Sequence, residues 1–257
     1  MTDLIRHYTA EFDEDDRLHR TPHGRLELLR TQELVRRHLT APARVLDVGG
    51  GTGVHARWLA SDGHAVHLVD VVPAHVDSAS RLPGVTAAVG DARDLPVADG
   101  SADVVMLMGP LYHLVSAEDR ARALAEARRA LRPGGVLVAA AISRYLSVLE
   151  TGSSGTLTPE LVGRVGEVLA TGRYDGHVGF TETHWHTAAG LRDELTAAGF
   201  RDVVVHGVEG PAWPALDVLG TDGSADRLDA ALRCARLVET DPLLINASAH
   251  FLAFARS

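Results

Sequence analysis

The sequence predicts an α/β fold, a seven-stranded and mostly parallel sheet with helices on both faces. Three observations predict it. From Ala43 to about Ile142, short apolar runs alternate with helical patterns, the order that builds a parallel sheet covered on both sides. The first of these runs, Arg44–Val48, passes through Asp47 straight into a glycine-rich turn, Gly49-Gly50-Gly51-Thr52-Gly53. With 257 residues, 46% hydrophobic and 23% charged, the chain has the size and composition for one such domain with a substantial core.

Strands are expected at 44–48, 65–70, 85–89, 102–108 and 135–142. A helix follows the glycine turn, with Val54, Arg57, Trp58 and Leu59 at roughly helical spacing. Before the fifth strand, Ser116 and Asp119 read as a capping box. Ala121, Leu124, Ala127 and Leu131 give the buried face, and Pro133-Gly134-Gly135 the stop. A helix at 187–198 has Leu191, Leu195 and Ala198 on one face and Gly199 at its end. Two further strands are expected near 201–208 and 247–255, joined by a helix from about 215 to 238.

Two segments stand outside the alternation. Residues 1–42 combine an acidic stretch, Asp13 to Asp16, with a helix whose face includes Leu28, Val35 and Leu39. Residues 143–186 are glycine-rich and contain a short helix with Thr158 as N-cap, Pro159 at its first position and Leu161, Val165 and Val168 facing inward. Both fall where they can cover the carboxyl ends of the strands, the edge at which open α/β sheets bind ligands. We therefore expect one domain over 1–257: an N-terminal cover (1–42), a binding core (43–142), a cap insertion (143–186) and the C-terminal part of the sheet (187–257).

Composition excludes several chemistries. All 25 basic residues are arginine. Without lysine there is no Schiff base, no pyridoxal phosphate anchor and no phosphate-loop lysine. Cys234, the one cysteine, allows no intrachain disulfide and no cysteine metal cluster. The net charge of −9 and the absence of a basic stripe argue against a nucleic-acid partner. No apolar run approaches the roughly 18 residues of a membrane helix, and the N-terminus lacks a signal-peptide pattern. The expectation is a cytoplasmic protein with no membrane partner.

The glycine turn and Asp70, which ends the second strand, together read as a nucleoside-type cofactor site. Glycines let a backbone approach a ligand closely, and a strand-end carboxylate grips ribose hydroxyls. Two cofactors compete on these residues. Gly51, Gly53 and Ala56 satisfy the dinucleotide pattern G-x-G-x-x-A. Asp47 with Gly49-x-Gly51-x-Gly53 instead suits a cationic amino-acid tail, as in S-adenosylmethionine, since an acid before the loop disfavours a diphosphate.

Later landmarks bear on that choice. Gly90-Asp91-Ala92 follows the third strand, 102–108 is the fourth, and Leu131-Arg132-Pro133-Gly134-Gly135 precedes the fifth. In this order and spacing the chain resembles the class I S-adenosylmethionine-dependent methyltransferases, whose fold is Rossmann-like, over about residues 43–142. A narrower resemblance lies in Met108-Gly109-Pro110-Leu111-Tyr112-His113-Leu114. It is similar to a Gly-Pro-Leu/Met-Tyr-His-Leu segment of bacterial small-molecule methyltransferases, some of them from secondary metabolism. Tyr8, Glu14 to Asp16 and Gly24-Arg25-Leu26-Glu27 match further features of that group. The Asn/Asp-Pro-Pro-Tyr of nucleic-acid amino-methyltransferases is not matched at its first and third positions.

The resemblance implies roles. Asp47, Gly49, Gly51 and Gly53 would surround the methionine part of S-adenosylmethionine, and Tyr8 would contact its carboxylate. Asp70 would take the ribose, Val71, Asp91 and Ala92 the adenine, and Met108 and Gly109 the floor beside the sulfonium. The product would be S-adenosylhomocysteine. Methyl transfer is an in-line displacement, so the protein must align acceptor and methyl and remove the acceptor's proton. His113 is the expected base, because an unperturbed imidazole titrates near pH 6.5. Tyr112 and Glu27 are the expected supports, although a packed turn and a solvated acid are alternatives for these three. Phe12, Tyr145, Phe180, Trp185 and Trp213 are the aromatics expected to line the acceptor pocket, with core packing the alternative for each. His184-Trp185-His186 resembles a metal pair without a third ligand, so no metal is expected. The acceptor is expected to be a small molecule methylated on oxygen, nitrogen or an electron-rich aromatic carbon. A nucleic-acid methyltransferase and a non-catalytic S-adenosylmethionine-binding protein are the alternatives.

Overall fold

A computed structural model describes residues 18–39, 42–177, 181–219 and 224–257. Helix α1 (Pro22–His38) starts where Thr21 accepts a hydrogen bond from the Gly24 amide at 2.9 Å and proline occupies the first turn. The alternation then unfolds as β1 (Arg44–Val48), α2 (Val54–Ser61), β2 (Ala65–Asp70), α3 (Pro73–Ala79), β3 (Val85–Val89) and β4 (Ala102–Leu107). It continues through α4 (Pro110–His113), α5 (Ala117–Ala130) and β5 (Leu131–Ile142).

After β5 the chain forms α6 (Leu146–Ser154), α7 (Pro159–Thr171) and a small hairpin of β6 (Arg173–Tyr174) and β7 (Thr183–His184). It returns through α8 (Ala188–Ala197), β8 (Arg201–Gly207), α9 (Trp213–Leu219), α10 (Ser224–Val238) and β9 (His250–Arg256). Among the described residues no helix is long and apolar enough to cross a membrane.

The seven strands lie in the order β3-β2-β1-β4-β5-β9-β8. Only β9 runs against its neighbours, pairing antiparallel with β5 and with β8. The order reverses between β1 and β4, the topological switch point beside which such sheets bind ligands. One face is covered by α5 and α8, whose Leu124, Ala127, Leu191 and Leu195 join Leu46, Val105 and Phe251 in one core. The other is covered by α1 and α2, through Leu34, Val35, Trp58 and Leu59 on Val45, Leu68 and Met106. Strands buried on both faces read as continuous apolar runs, which is why β4 and β5 stood out in the sequence.

The segment from 143 onward leaves and rejoins the sheet at one point. The His186 amide donates to Ile142 O at 2.8 Å, and the Arg144 amide to His186 O at 2.7 Å. Between these ends a separate cluster packs Val168, Tyr174 and Trp185 onto Ile142.

Several local expectations need correction. Ser116 stands at the start of α5 but its side chain makes no capping bond. The expected capping partner, Asp119, is drawn off by Arg93 Nη1 at 3.1 Å. Thr158 likewise precedes α7 without a side-chain cap. The helix expected over 215–238 is seen as α9 and α10, with residues 220–223 outside the described residues. The fifth strand begins at Leu131 rather than 135, because Leu131 already pairs with Ala102 ahead of a register shift.

Candidate active site

Asp47 is the most constrained group at the switch point. It sits on β1 with no exposure, and neither carboxylate oxygen has a hydrogen-bond partner among the described residues. Burial, and then the charge of Asp70, push its pKa up to about 7. A buried carboxylate without a partner is costly, and the described residues supply none to Asp47.

Above Asp47 the loop takes left-handed backbone at Gly49, φ +70°, and Gly51, φ +58°. The two glycines differ in what they face. A Cβ on Gly49 would stand 2.8 Å from Pro110 Cδ, so the loop and the segment after β4 touch there. A Cβ on Gly51 would meet nothing within 4 Å among the described residues. Gly53, φ +94°, precedes α2 and turns the chain into it.

Asp70, at the end of β2, holds the loop in this shape. Its Oδ2 accepts from the Gly51 amide at 2.9 Å and its Oδ1 from the Val72 amide at 2.8 Å. His75 Nδ1 lies 3.3 Å from the same carboxylate. Val71, between these anchors, is half-buried.

Past β3, Asp91 accepts from Arg93 Nη2 at 2.7 Å and Nε at 3.0 Å, and these bonds hold its pKa below the usual carboxylate range. Ala92 beside it is buried against the sheet. Met108 is half-buried, and its amide donates to Val48 O at 3.1 Å, tying the end of β4 to the end of β1.

Gly109 then opens α4, and the side chains of Tyr112 and His113 fold back around it. A Cβ on Gly109 would lie 3.5 Å from Tyr112 Oη and 3.8 Å from His113 Cδ2. The Tyr112 hydroxyl donates to Met108 O at 3.0 Å, and the two rings are 4.7 Å apart. The expected base therefore stands next to the segment that touches Gly49.

The expected pocket aromatics are dispersed. Tyr8, Phe12 and Phe180 lie outside the described residues, as does the acidic stretch Asp13 to Asp16. Tyr145 is exposed at the start of α6. Trp185 is buried in the insertion's own cluster, stacked on Tyr174 at 4.4 Å with its indole N–H donating to Thr183 Oγ1 at 2.9 Å. Its packing role is thus the one visible in the fold. Trp213 is closed in by Leu26 and Leu216, and it also lines a pocket of about 240 Å³ with Glu150, Thr151 and Asp217. His186 of the His184/His186 pair is engaged by Glu194, Nε2 to Oε2 at 2.8 Å.

A second polar centre was not foreseen as a whole. His23 and Glu27 on α1, Glu209 after β8 and His250 at the start of β9 converge, with one ligand atom from each all within 4.8 Å of one another. Glu27, expected to orient a base or the acceptor, lies 3.8 Å from His250 Nδ1. Glu209 is fully buried. Burial favours its neutral form, yet His250 and His23 hold its pKa well below the usual range. For His23, burial opposes the charged ring, but Asp217 and Glu209 outweigh it and bring the pKa up to about 10. The only sequence signal for this centre was the spacing of His23 and Glu27, one helical turn apart.

Comparison with known proteins agrees with this geometry. Residues 45–135, which hold β1 to β4 and the glycine loop, match the model of a methyltransferase domain. Over 99 residues the chain is 38% identical to a ubiquinone/menaquinone biosynthesis C-methyltransferase of Acidiphilium cryptum, covering 35% of this chain and 39% of that protein. The chain thus spans about two-fifths of the length of that relative. A Thermotoga maritima methyltransferase structure, described as a possible histamine N-methyltransferase, superposes with a TM-score of 0.65 at 18% identity, covering 100% of this chain and 99% of that one. The Burkholderia thailandensis 1,6-didemethyltoxoflavin N1-methyltransferase, solved with its acceptor and S-adenosylhomocysteine, gives 0.60 at 18% identity, covering 100% of this chain and 86% of that one. The fold is that of the class I methyltransferases.

Proposed function

We propose that this protein is an S-adenosylmethionine-dependent methyltransferase acting on a small molecule, with His113 as the base. The observation that carries the reading is Asp47, a fully buried carboxylate with no partner among the described residues, at the foot of the glycine loop. A cationic amino group, as on the methionine tail of S-adenosylmethionine, restores the charge that burial suppresses there. A diphosphate would meet a carboxylate it repels. The residues present therefore fit this cofactor, which supplies an electrophilic methyl group on a sulfonium.

The roles of the chain's own groups follow from their placement. Asp70 keeps the loop open through the Gly51 and Val72 amides and presents its remaining lone pairs at the strand end. Ionised Asp91 is an acceptor for an amino group beside the buried Ala92. Gly109 lies at the junction of β1 and β4, where an added Cβ would come into ordinary contact with Tyr112 and His113. The imidazole of His113 takes the acceptor's proton, and Tyr112, tied to Met108 O, fixes the ring beside it. The half-buried α4 and the insertion rising from β5 flank this position and supply the acceptor side. The role in bacterial secondary metabolism that the Gly-Pro-Leu-Tyr-His-Leu segment implies belongs to the same proposal.

The first test is calorimetric titration with S-adenosylmethionine and, separately, with NADH. Binding of S-adenosylmethionine alone is expected, with a loss of at least tenfold in Asp47→Asn. Binding of NADH alone would overturn the reading. Once an acceptor is found by S-adenosylhomocysteine release, His113→Ala is expected to lower kcat by about 100-fold or more, the usual range for a general base. Cofactor affinity in that variant should be unchanged. Full turnover in His113→Ala, with chemistry rate-limiting, would remove His113 from the mechanism.

A further inference from the structure

We propose that His23, Glu27, Glu209 and His250 form a binding site for one divalent first-row transition cation, with Zn²⁺ as the reference ion. The inference stands apart from the methyl-transfer reading, because none of the four residues belongs to the cofactor loop.

The donors come from three separate stretches of chain brought to one edge of the sheet. β9 runs antiparallel to β5, so its first residue, His250, lies opposite Ile142, the last residue of β5. Glu209 follows the end of β8 at the same edge, and α1 lays His23 and Glu27 across it on one helical face. His250 Nδ1 is 2.6 Å from Glu209 Oε1 and 3.8 Å from Glu27 Oε2, and His23 Nε2 is 3.8 Å from Glu209 Oε1. Four donors at the ~2.0–2.2 Å of zinc–nitrogen and zinc–oxygen bonds lie about 3.3 Å from one another in a tetrahedron. The cluster is thus within side-chain adjustment of that arrangement.

A second observation is independent of the clustering. His23 Nδ1 is engaged by Asp217 Oδ2 at 3.0 Å, which turns Nε2 toward Glu209. That Nε2 is buried, without a hydrogen-bond partner among the described residues, and directed at Glu209. A carboxylate on one imidazole nitrogen with the other aimed inward is how proteins orient a histidine ligand. Trp213 stacks on the ring at 4.8 Å and 26°, fixing its plane.

Glu209 is oriented in the same manner. The Ser248 hydroxyl donates to its Oε2 at 2.6 Å and the His250 amide at 2.9 Å, leaving Oε1 toward the two imidazoles. Two imidazoles and two carboxylates favour a borderline cation over Mg²⁺ or Ca²⁺, which take oxygen ligands. With two carboxylates as ligands, the site neutralises a divalent ion. Its structural effect is to clamp α1 to the β8/β9 end of the sheet.

The test uses the full chain, stripped with chelator and titrated with ZnCl₂ against a competing fluorescent chelator, with circular dichroism as the fold control. One equivalent is expected to bind with micromolar or tighter affinity, raising Tm. Glu27→Gln and His23→Gln should each weaken it at least tenfold, and Asp217→Asn, outside the ligand set, by about 10- to 100-fold. His184→Gln, a histidine elsewhere in the chain, should leave it unchanged. No saturable equivalent in the folded wild-type protein would overturn the proposal. So would binding that survives Glu27→Gln and Asp217→Asn, two conservative changes that keep side-chain size should His23→Gln not fold.

Discussion

Asp47 ties the stability of this protein to the chemistry of its loop. A carboxyl group whose pKa is about 7 in the folded chain and near 3.9 in the unfolded one binds more protons when folded between those values. Its contribution to stability is therefore fully present below about pH 4 and is lost as pH rises through about 7. At ~1.4 kcal/mol per pKa unit, the loss amounts to a few kcal/mol. Asp47→Asn should consequently be more stable than wild type at pH 8, with the gain in Tm shrinking toward pH 4. Thermal unfolding of both proteins across this range checks it, and equal Tm shifts at every pH would refute the assignment. Affinity for S-adenosylmethionine should run the opposite way in the wild type, weakening below about pH 7 with one proton released per cofactor bound.

Among the elements, the insertion between β5 and α8 contains one especially tight approach. Gly172, φ +77°, ends α7, and a Cβ there would stand only 2.3 Å from Trp185 O. The Trp185 amide donates to Gly172 O at 2.6 Å, so this contact sets the hairpin against the helix. Gly172→Ala combines left-handed strain, about 1–2 kcal/mol, with a backbone clash. It should increase hydrogen exchange and proteolysis within 143–186 while leaving β1 to β4 protected. Uniform protection in both regions would show that the contact can relax. This hairpin was not readable from sequence, since two-residue strands carry no periodicity.

For the whole molecule, legibility followed contiguity. The sheet was readable because its strands are apolar runs separated by ordinary helical patterns. The glycine loop was readable because Asp47 to Gly53 are consecutive residues. The His23, Glu27, Glu209 and His250 centre is assembled from both ends of the chain, and only the antiparallel β9 brings its last member to the ligand edge. Glu27 was singled out, but not its neighbour His250, because sequence order cannot say that α1 comes to lie at the start of β9. Trp185 and Trp213 were picked for their rarity, a property that does not separate a core from a cavity wall. Arg30, fully buried and bonded to Glu239, Glu33 and Val208 O, went unnoticed for the same reason. Nothing in a run of helical residues marks which arginine faces inward.

The neck at Ile142, Arg144 and His186 also has a consequence for how such a protein diversifies. Two backbone hydrogen bonds join the departing and returning chain, so the sheet experiences the whole insertion as if it were a short turn. Loop-closure entropy rises only slowly with length, and a segment hung from a closed neck can be lengthened, shortened or exchanged without shifting the register of any strand. Residues 145–185 form a graft point, at which the inserted segment can change while the Asp47–Gly53 loop stays as it is.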